Sequence, residues 1–341
     1  MESGAQNFEK FESPSYFKSK FPLSSLAKKT ITDTREIIVK ILDKKDSRKI
    51  FIIGPCSIHN YNEAIEYSDK LKELSNKVRD KILILMRVYL EKPRTNIGWK
   101  GYINDPDLNN AHDIFDGISN SLKLLCEING RGVPVTTEFL DILIYPYIYD
   151  SISFGSIGAR TAESQTHRQF VSGLSLPIGF KNSTSGSIES PINAIKTAAS
   201  PHSFLGINEE GMVSKINTLG NKNCCIVLRG GDDGPNYEEE YICEVEERLG
   251  EAGISKNIII DCSHGNSLKD YTRQGEVLRD VVNQMRTNKD IIGLMLESNL
   301  QEGRQEIPQD LSKLKKGVSV TDGCIGWNET EKLILEAYEM L

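Results

Sequence analysis

Six basic residues, Arg87, Lys92, Arg94, Arg160, Lys181 and Arg229, each stand at or just beyond the end of a short apolar run. One such residue carries little information, because long basic side chains commonly lay their stems on apolar surface and send the charge to water. Repetition is different. If the runs are strands of one closed sheet, the six charges converge on a single concavity and repel one another unless an anion lies among them. Arginine grips phosphate and carboxylate through paired N–H bonds, which suits a small polyanionic substrate. Two phosphorylated molecules, or one that also bears a carboxylate, would account for so many cations. Charge scattered over the surface is the bland alternative, and the recurrence of the placement argues against it.

A second set is Cys56, His264 and Glu297, again after apolar runs, with Asp322 in the turn Val320–Gly323. Thiolate, imidazole and carboxylate together can hold a divalent transition metal. Their spacing fits neither a zinc finger nor an HExxH helix. Taken singly, Cys56 would be core and Glu297 a solvated or cation-paired carboxylate. What favours a site is that three of the four leave the first, seventh and eighth runs, which are neighbours in a closed barrel.

The elements that must position these groups are legible as a pattern. Apolar, β-branched runs lie at Ile50–Ile53, Ile82–Val88, Val133–Phe139, Gly155–Ala159, Pro177–Phe180, Cys224–Leu228, Asn257–Ile260 and Ile291–Leu296. They are continuous rather than alternating, as strands buried on both faces are. Amphipathic stretches separate them, including Tyr61–Val78, Leu108–Gly130 and Asn236–Gly253. Alternation of strand and helix implies parallel strands, and eight strands imply a (β/α)8 TIM barrel, whose function sits at the C-terminal strand ends. The barrel is expected over residues 50–341. Residues 1–49 form an N-terminal extension, a regulatory or oligomerisation arm whose helix Ser25–Lys44 either caps the barrel floor or packs on a neighbouring subunit. Between strands five and six, residues 201–223 read as a small hairpin insertion.

Bulk properties narrow the class. The 341 residues carry a net charge of −7. That leaves no global positive field for nucleic acid or an anionic membrane. No apolar run reaches the roughly 18 residues of a membrane span. The polar, acidic N-terminus lacks the order of a signal peptide, so the expected location is cytoplasmic. Seven cysteines, an odd number, agree with a reducing compartment.

The motifs Gly54-Pro55-Cys56-Ser57-Ile58-His59, Met86-Arg87-Val88-Tyr89, Glu91-Lys92-Pro93-Arg94-Thr95, Gly98-Trp99-Lys100-Gly101, Gly158-Ala159-Arg160-Thr161, Gly179-Phe180-Lys181-Asn182, Leu228-Arg229-Gly230-Gly231, Asp261-Cys262-Ser263-His264 and Glu297-Ser298-Asn299 occur in one order. From about Pro22 to the C-terminus the chain resembles the type I 3-deoxy-D-arabino-heptulosonate-7-phosphate (DAHP) synthases, transferases that open the shikimate pathway. The resemblance implies a metal-dependent, aldol-like condensation of phosphoenolpyruvate with D-erythrose 4-phosphate and water, giving DAHP and phosphate. It implies one divalent metal ion per subunit (Mn, Fe, Co or Zn) on Cys56, His264, Glu297 and Asp322. It implies that Arg87, Arg160, Lys181 and Arg229 hold phosphoenolpyruvate, with Glu138 and the backbone at Ala159. Lys92, Pro93, Arg94 and Thr95 would receive erythrose 4-phosphate. Lys92 would be the proton donor, and Glu138 or His264 would activate the attacking water. Cys324, two residues beyond Asp322, would lie near enough to Cys56 for an oxidative pairing, or be simple core.

The family also implies feedback inhibition by an aromatic amino acid. Phe21-Pro22-Leu23-Ser24, Phe204-Leu205-Gly206-Ile207-Asn208 and Cys262-Ser263-His264-Gly265-Asn266 are most like the tyrosine-sensitive members. Aromatics near the N-terminus (Phe8, Phe11, Tyr16, Phe17) suggest a docking arm and hence a homo-oligomer, dimer or tetramer, or else burial under their own barrel. Three rivals remain: the sister synthase that makes 3-deoxy-octulosonate 8-phosphate from arabinose 5-phosphate, a non-catalytic barrel that senses phosphometabolites, and an aldolase that releases no phosphate.

Overall fold

A computed structural model describes residues 7–94 and 96–341. Eight parallel strands close a barrel: β1 (Lys49–Gly54), β2 (Ile82–Arg87), β3 (Val135–Glu138), β4 (Phe154–Ile157), β5 (Ile178–Lys181), β8 (Cys224–Leu228), β9 (Ile258–Asp261) and β10 (Ile291–Glu297). The order around the barrel is β1-β10-β9-β8-β5-β4-β3-β2, so β1 sits between β2 and β10. The remaining pair, β6 (Ser203–Ile207) and β7 (Val213–Asn217), forms an antiparallel hairpin outside the barrel. All eight expected strands are present, with no end shifted by more than two residues.

Helices α3 (Tyr61–Val78), α4 (Ile114–Gly130), α6 (Gln165–Val171), α7 (Glu189–Ala198), α8 (Glu239–Glu251), α9 (Gln274–Met285) and α10 (Trp327–Met340) follow barrel strands, and the short α5 (Tyr145–Ile148) lies between β3 and β4. The amphipathic pattern from Leu108 overreaches the true start of α4 by six residues. Leu108, Asn110 and His112 have φ of +58°, +60° and +56°, which no right-handed helix accommodates. The helix begins where Asp113 accepts a hydrogen bond from the Asp116 N–H at 2.9 Å, an N-cap.

Two apolar layers result from strand alternation. Ile53, Ile84, Ile226 and Ile260 point outward to the helices. Ile52, Leu85, Phe154, Val227, Ile259 and Met295 belong to a separate cluster that fills the barrel. The N-terminal helix α2 (Ser25–Leu42) joins that inner cluster through Ile38, Ile41 and Leu42. Its C-terminal end is tied to the strand N-termini, with Asn257 Nδ2 donating to Leu42 O at 3.1 Å and Lys44 Nζ to Lys289 O at 3.0 Å. Of the two places open to this helix, it occupies the floor of its own barrel.

The preceding helix α1 (Pro14–Lys20) also packs on its own chain. Phe17 is fully buried among Phe115 and Tyr147, with ring centroids at 5.0 and 5.6 Å. Phe8 and Phe11 stay exposed at 84% and 43%. Lys18 joins three segments at once: it pairs with Asp150 at 2.6 Å and Glu209 at 2.9 Å, and lies 4.8 Å from the centre of the Tyr149 ring.

Ile38 is fully buried at the floor, far along the barrel axis from the charged strand ends. Ile38→Ala is expected to destabilise the fold by about 2–5 kcal/mol. Denaturant unfolding should show the loss, while anion binding at the opposite face stays unchanged.

Candidate active site

The alternation that fills the barrel with aliphatic side chains also decides what closes it. Counting two residues on from the inward-facing Leu85, Val227, Ile259 and Met295 gives Arg87, Arg229, Asp261 and Glu297. The same step leads from Thr136 to Glu138 and from Gly179 to Lys181. The top of the barrel interior is therefore a charged layer resting on an apolar one. Arg87, Lys181, Glu138, Asp261 and Glu297 are all buried.

Within that layer the charges pair crosswise. Arg87 Nη2 donates to Glu297 Oε1 at 2.9 Å, and its Nε donates to Pro55 O at 3.4 Å. Lys181 Nζ lies 3.1 Å from Asp261 Oδ2. The buried Tyr89 ring lies 4.0 Å from the Arg87 guanidinium and 5.8 Å from Lys181 Nζ, so both cations lean on one aromatic ring. Three polar atoms of these charged groups are left over. Arg87 Nη1, Glu138 Oε1 and Asp261 Oδ2 are buried without a hydrogen-bond partner among the described residues, the last held only at ion-pair distance from Lys181 and His264. A donor and an acceptor held dry and unsatisfied are costly unless a ligand completes them. Gly158 makes room for the second, since a methyl group there would stand 2.3 Å from Glu138 Oε1.

Beside this layer, Cys56, Glu297 and Asp322 bring three donor atoms within 4.8 Å of one another. Cys56 Sγ donates to Asp322 Oδ2 at 3.5 Å, and Lys92 Nζ donates to Cys56 Sγ at 3.1 Å and to Cys56 O at 3.3 Å. His264 Nε2 lies 3.9 Å from Glu297 Oε1, at the margin of the trio. Its other nitrogen, Nδ1, meets Ser263 Oγ at 2.7 Å and Asp261 Oδ2 at 3.1 Å. A sulfur, two carboxylates and an adjacent imidazole have the chemistry of a transition-metal site rather than a Mg or Ca site. Burial, aided by Glu297, pushes the Cys56 thiol up to about 11, with Lys92 pulling the other way. At Asp261 burial also acts upward, but His264 and Lys181 outweigh it and hold the carboxyl well below its ordinary value. Cys56 and Cys324 are both buried free thiols.

The loops carrying these groups are locked by three buried asparagines. Asn182 Oδ1 accepts from Arg229 N at 2.7 Å, Asn236 Oδ1 accepts from Gly230 N at 2.7 Å, and Asn266 Oδ1 accepts from Asn236 N at 2.8 Å. Asn266 Nδ2 in turn donates to Asp261 O at 2.9 Å. The loops after β8 and β9 touch at Gly230 and Gly265, where a methyl on Gly230 would lie 2.4 Å from Gly265 C. Gly230 has φ +72° and His264 φ +57°, the latter in a region that side chains rarely adopt.

The loop after β2 forms the opposite wall. Lys92 N donates to Lys100 O at 2.8 Å, which folds 98–103 back along 90–92. A cleft of about 620 Å³ opens here, lined by Lys92, Pro93, Arg94, Lys100, Asp141 and His167 among others. Arg94 and Arg160 are exposed at the mouth, Arg229 is half-buried and Ala159 follows Gly158 at the end of β4. Thr95 lies outside the described residues. The barrel thus brings the other expected site residues to one face.

Residues 25–335 match the model of the DAHP synthetase I family. The chain belongs to that family. It is 46% identical over 329 residues to the Tyr-sensitive phospho-2-dehydro-3-deoxyheptonate aldolase of Escherichia coli, covering 96% of this chain and 92% of that one. It is also 46% identical over 316 residues to the Phe-sensitive enzyme of the same organism, covering 92% and 90%. A solved phospho-2-dehydro-3-deoxyheptonate aldolase from Francisella tularensis superposes with a TM-score of 0.96 at 42% identity, over 99% of this chain and 98% of that one.

Sequence reasoning passed over Asp261, Tyr89, Asn182, Asn236 and Asn266 as functional residues. For Asp261, Tyr89, Asn182 and Asn266 a signal existed: each is a polar member of a run already singled out. Asn236 had none, and that the three asparagines hold loop backbones shows only once the loops are in place.

Glu91 gives this wall a pH dependence. It accepts a hydrogen bond from Asp141 N at 3.4 Å, and burial together with Asp141 pushes its carboxyl up to about 8. Between its ordinary value of 4.5 and about 8 the folded state holds a proton that the unfolded state has lost. Stability from this residue therefore falls as pH rises through that window, by up to about 1.4 kcal/mol per pH unit. Glu91→Gln should remove that slope from unfolding midpoints measured across the window.

Proposed function

We propose that this chain condenses phosphoenolpyruvate with D-erythrose 4-phosphate and water, releasing phosphate and 3-deoxy-D-arabino-heptulosonate 7-phosphate, the first step of the shikimate pathway. The observation that carries the reading is the meeting, at one barrel mouth, of a buried charged layer with an unpartnered Arg87 Nη1 and a sulfur–carboxylate trio that Lys92 joins at Cys56. An anion-binding layer alone would suit a sensor, and a metal trio alone many hydrolases; together they suit addition of an anionic enol to an aldehyde.

On this reading Arg87, Arg160, Lys181 and Arg229 hold phosphoenolpyruvate, with Arg87 Nη1 finding its missing acceptor there and Ala159 contributing backbone. Lys92, Pro93, Arg94 and Thr95 receive erythrose 4-phosphate, its phosphate near Arg94. Cys56, His264, Glu297 and Asp322 hold one divalent ion (Mn, Fe, Co or Zn), which when bound supplies Lewis acidity at the aldehyde oxygen. Lys92 is strongly inclined to keep its proton: burial works against the charge, but Cys56, Glu297 and Asp322 overcome it. It donates that proton to the aldehyde oxygen as the carbon–carbon bond forms. Positive charge is then left at the carbon bearing phosphate. Water adds to that carbon, its proton goes to a neighbouring base, and the C–O bond to phosphate breaks. Glu138 is the better-placed group to orient this water, because its Oε1 is free among the described residues while His264 Nδ1 is engaged. Fixing both substrates in register removes much of the entropic barrier.

The division into an extension at 1–49 and a catalytic barrel at 50–341 fits a regulatory and assembly role for the extension. Lys18 links it to the hairpin turn and to the segment after α5, the parts best placed to sense an aromatic amino acid effector. Tyrosine is the favoured effector, although the Tyr- and Phe-sensitive relatives are equally identical. Exposed Leu205 and Val213 on the hairpin, and Phe8 on the arm, suit a homo-oligomer, dimer or tetramer. Among the described residues no helix is long and apolar enough to cross a membrane, consistent with a cytoplasmic enzyme.

The decisive assay is erythrose 4-phosphate-dependent phosphate release from phosphoenolpyruvate, abolished by chelator and restored by Mn2+. Preference for arabinose 5-phosphate would reassign the chain to octulosonate chemistry, and carbon–carbon bond formation without phosphate would make it an aldolase. Cys56→Ala should lose bound metal and at least roughly 100-fold in rate together, since Lewis-acid stabilisation is worth several kcal/mol. Full activity of that variant in chelator would refute the metal site. Tyr should inhibit the native enzyme more strongly than Phe or Trp.

A further inference from the structure

Asp261 touches both halves of the site. Its Oδ2 lies 3.1 Å from Lys181 Nζ, in the anion-binding layer, and 3.1 Å from His264 Nδ1, beside the metal donors. Its Oδ1 accepts from Ser263 Oγ at 2.6 Å and from Ser263 N at 3.1 Å. The carboxylate is completely buried, so its charge is screened by protein groups alone. Ser263 Oγ spends its proton on Asp261 and so presents a lone pair to His264 Nδ1 at 2.7 Å. Every group facing His264 Nδ1 is then an acceptor. Nδ1 carries the imidazole proton, and the Nε2 lone pair faces Glu297 and the trio.

We propose that Asp261 is a positioning residue that couples occupancy of the metal site to binding of phosphoenolpyruvate, a role that rests on the functional reading above. With His264 among the groups that would hold the ion, its Nδ1–H and the Asp261 charge would be drawn toward each other. Lys181 then shares less of that charge and presents more positive potential to an incoming anion. The reverse holds by linkage: an anion on Lys181 frees Asp261 for His264, which strengthens the histidine as a ligand. The ion's own field acts on the anion as well, but independently of Asp261.

The test is a binding cycle on the full chain with native protein and Asp261→Asn. Mn2+ affinity is read by electron paramagnetic resonance of the free ion, and phosphoenolpyruvate affinity by calorimetry without and with saturating Mn2+. Asp261→Asn is expected to weaken Mn2+ roughly 10-fold or more, as loss of a histidine's outer partner does. The ratio of phosphoenolpyruvate dissociation constants without and with Mn2+ should shrink by roughly fivefold. A role confined to holding the loop would raise both constants and leave their ratio unchanged, and that result overturns the proposal. A second measurement needs no stable Asp261 variant. Nitrogen-15 spectra of the five histidines, at a pH about two units above the ordinary imidazole value and with His264 assigned by His264→Asn, should show the Nδ1–H form. The Nε2–H form would overturn it. If native protein binds neither Mn2+ nor phosphoenolpyruvate, the functional reading fails and takes the coupling with it, through the native chain rather than the variant.

Discussion

The crossed ion pairs Arg87–Glu297 and Lys181–Asp261 are the constraint to which the rest of the catalytic face answers. Moving such groups from water into a protein interior costs several kcal/mol for each ion, and pairing recovers that only with good geometry and further hydrogen bonds. The barrel interior beneath them is largely apolar and supplies them no partner. The missing partners come from above and from the sides: Pro55 O, the face of Tyr89, Ser263 and the backbone of neighbouring loops. Pairing is also deliberately incomplete, since Arg87 Nη1 and Glu138 Oε1 are unmet among the described residues. The site is thus stable enough to fold and unsatisfied enough to bind.

That tension explains a division of labour along the barrel axis. At the floor, α2 closes the barrel with Ile38, Ile41 and Leu42, a purely apolar plug that adds stability without involving the chemistry. At the top, the layer of charge is held by asparagines and close-packed glycines rather than by apolar mass. Stability and reactivity occupy opposite ends, as is usual for this architecture.

Much of this was readable in the chain. Continuous β-branched runs located all eight barrel strands, and the polar residue after each run marked the barrel face where the charged groups gather. The hairpin was legible from its alternating residues and glycines. What escaped had physical reasons. The start of α4 was misplaced because left-handed turns at Leu108, Asn110 and His112 interrupt an apolar rhythm that continues on paper. The asparagine lock was invisible because it forms only where separate loops meet: Asn182 reaches Arg229 N and Asn266 reaches Asn236 N, 47 and 30 residues away, and Asn236 in turn holds Gly230 N. Phe17 could not be told from its exposed neighbours, since only the packed rings of Phe115 and Tyr147 distinguish a buried aromatic from a free one.

The β6–β7 hairpin leaves the barrel between strands that remain direct neighbours, with β5 still paired to β8 from Ile178–Cys224 through Lys181–Val227. Its registration is internal, Ser203 opposite Asn217 and Ile207 opposite Val213, so its shape owes nothing to the barrel sheet. Such an appendage can lengthen, shorten or change its surface over evolutionary time while Lys181 and Arg229 on either side keep their places. If the hairpin senses an effector as proposed, its response can change without disturbing the groups that hold substrate.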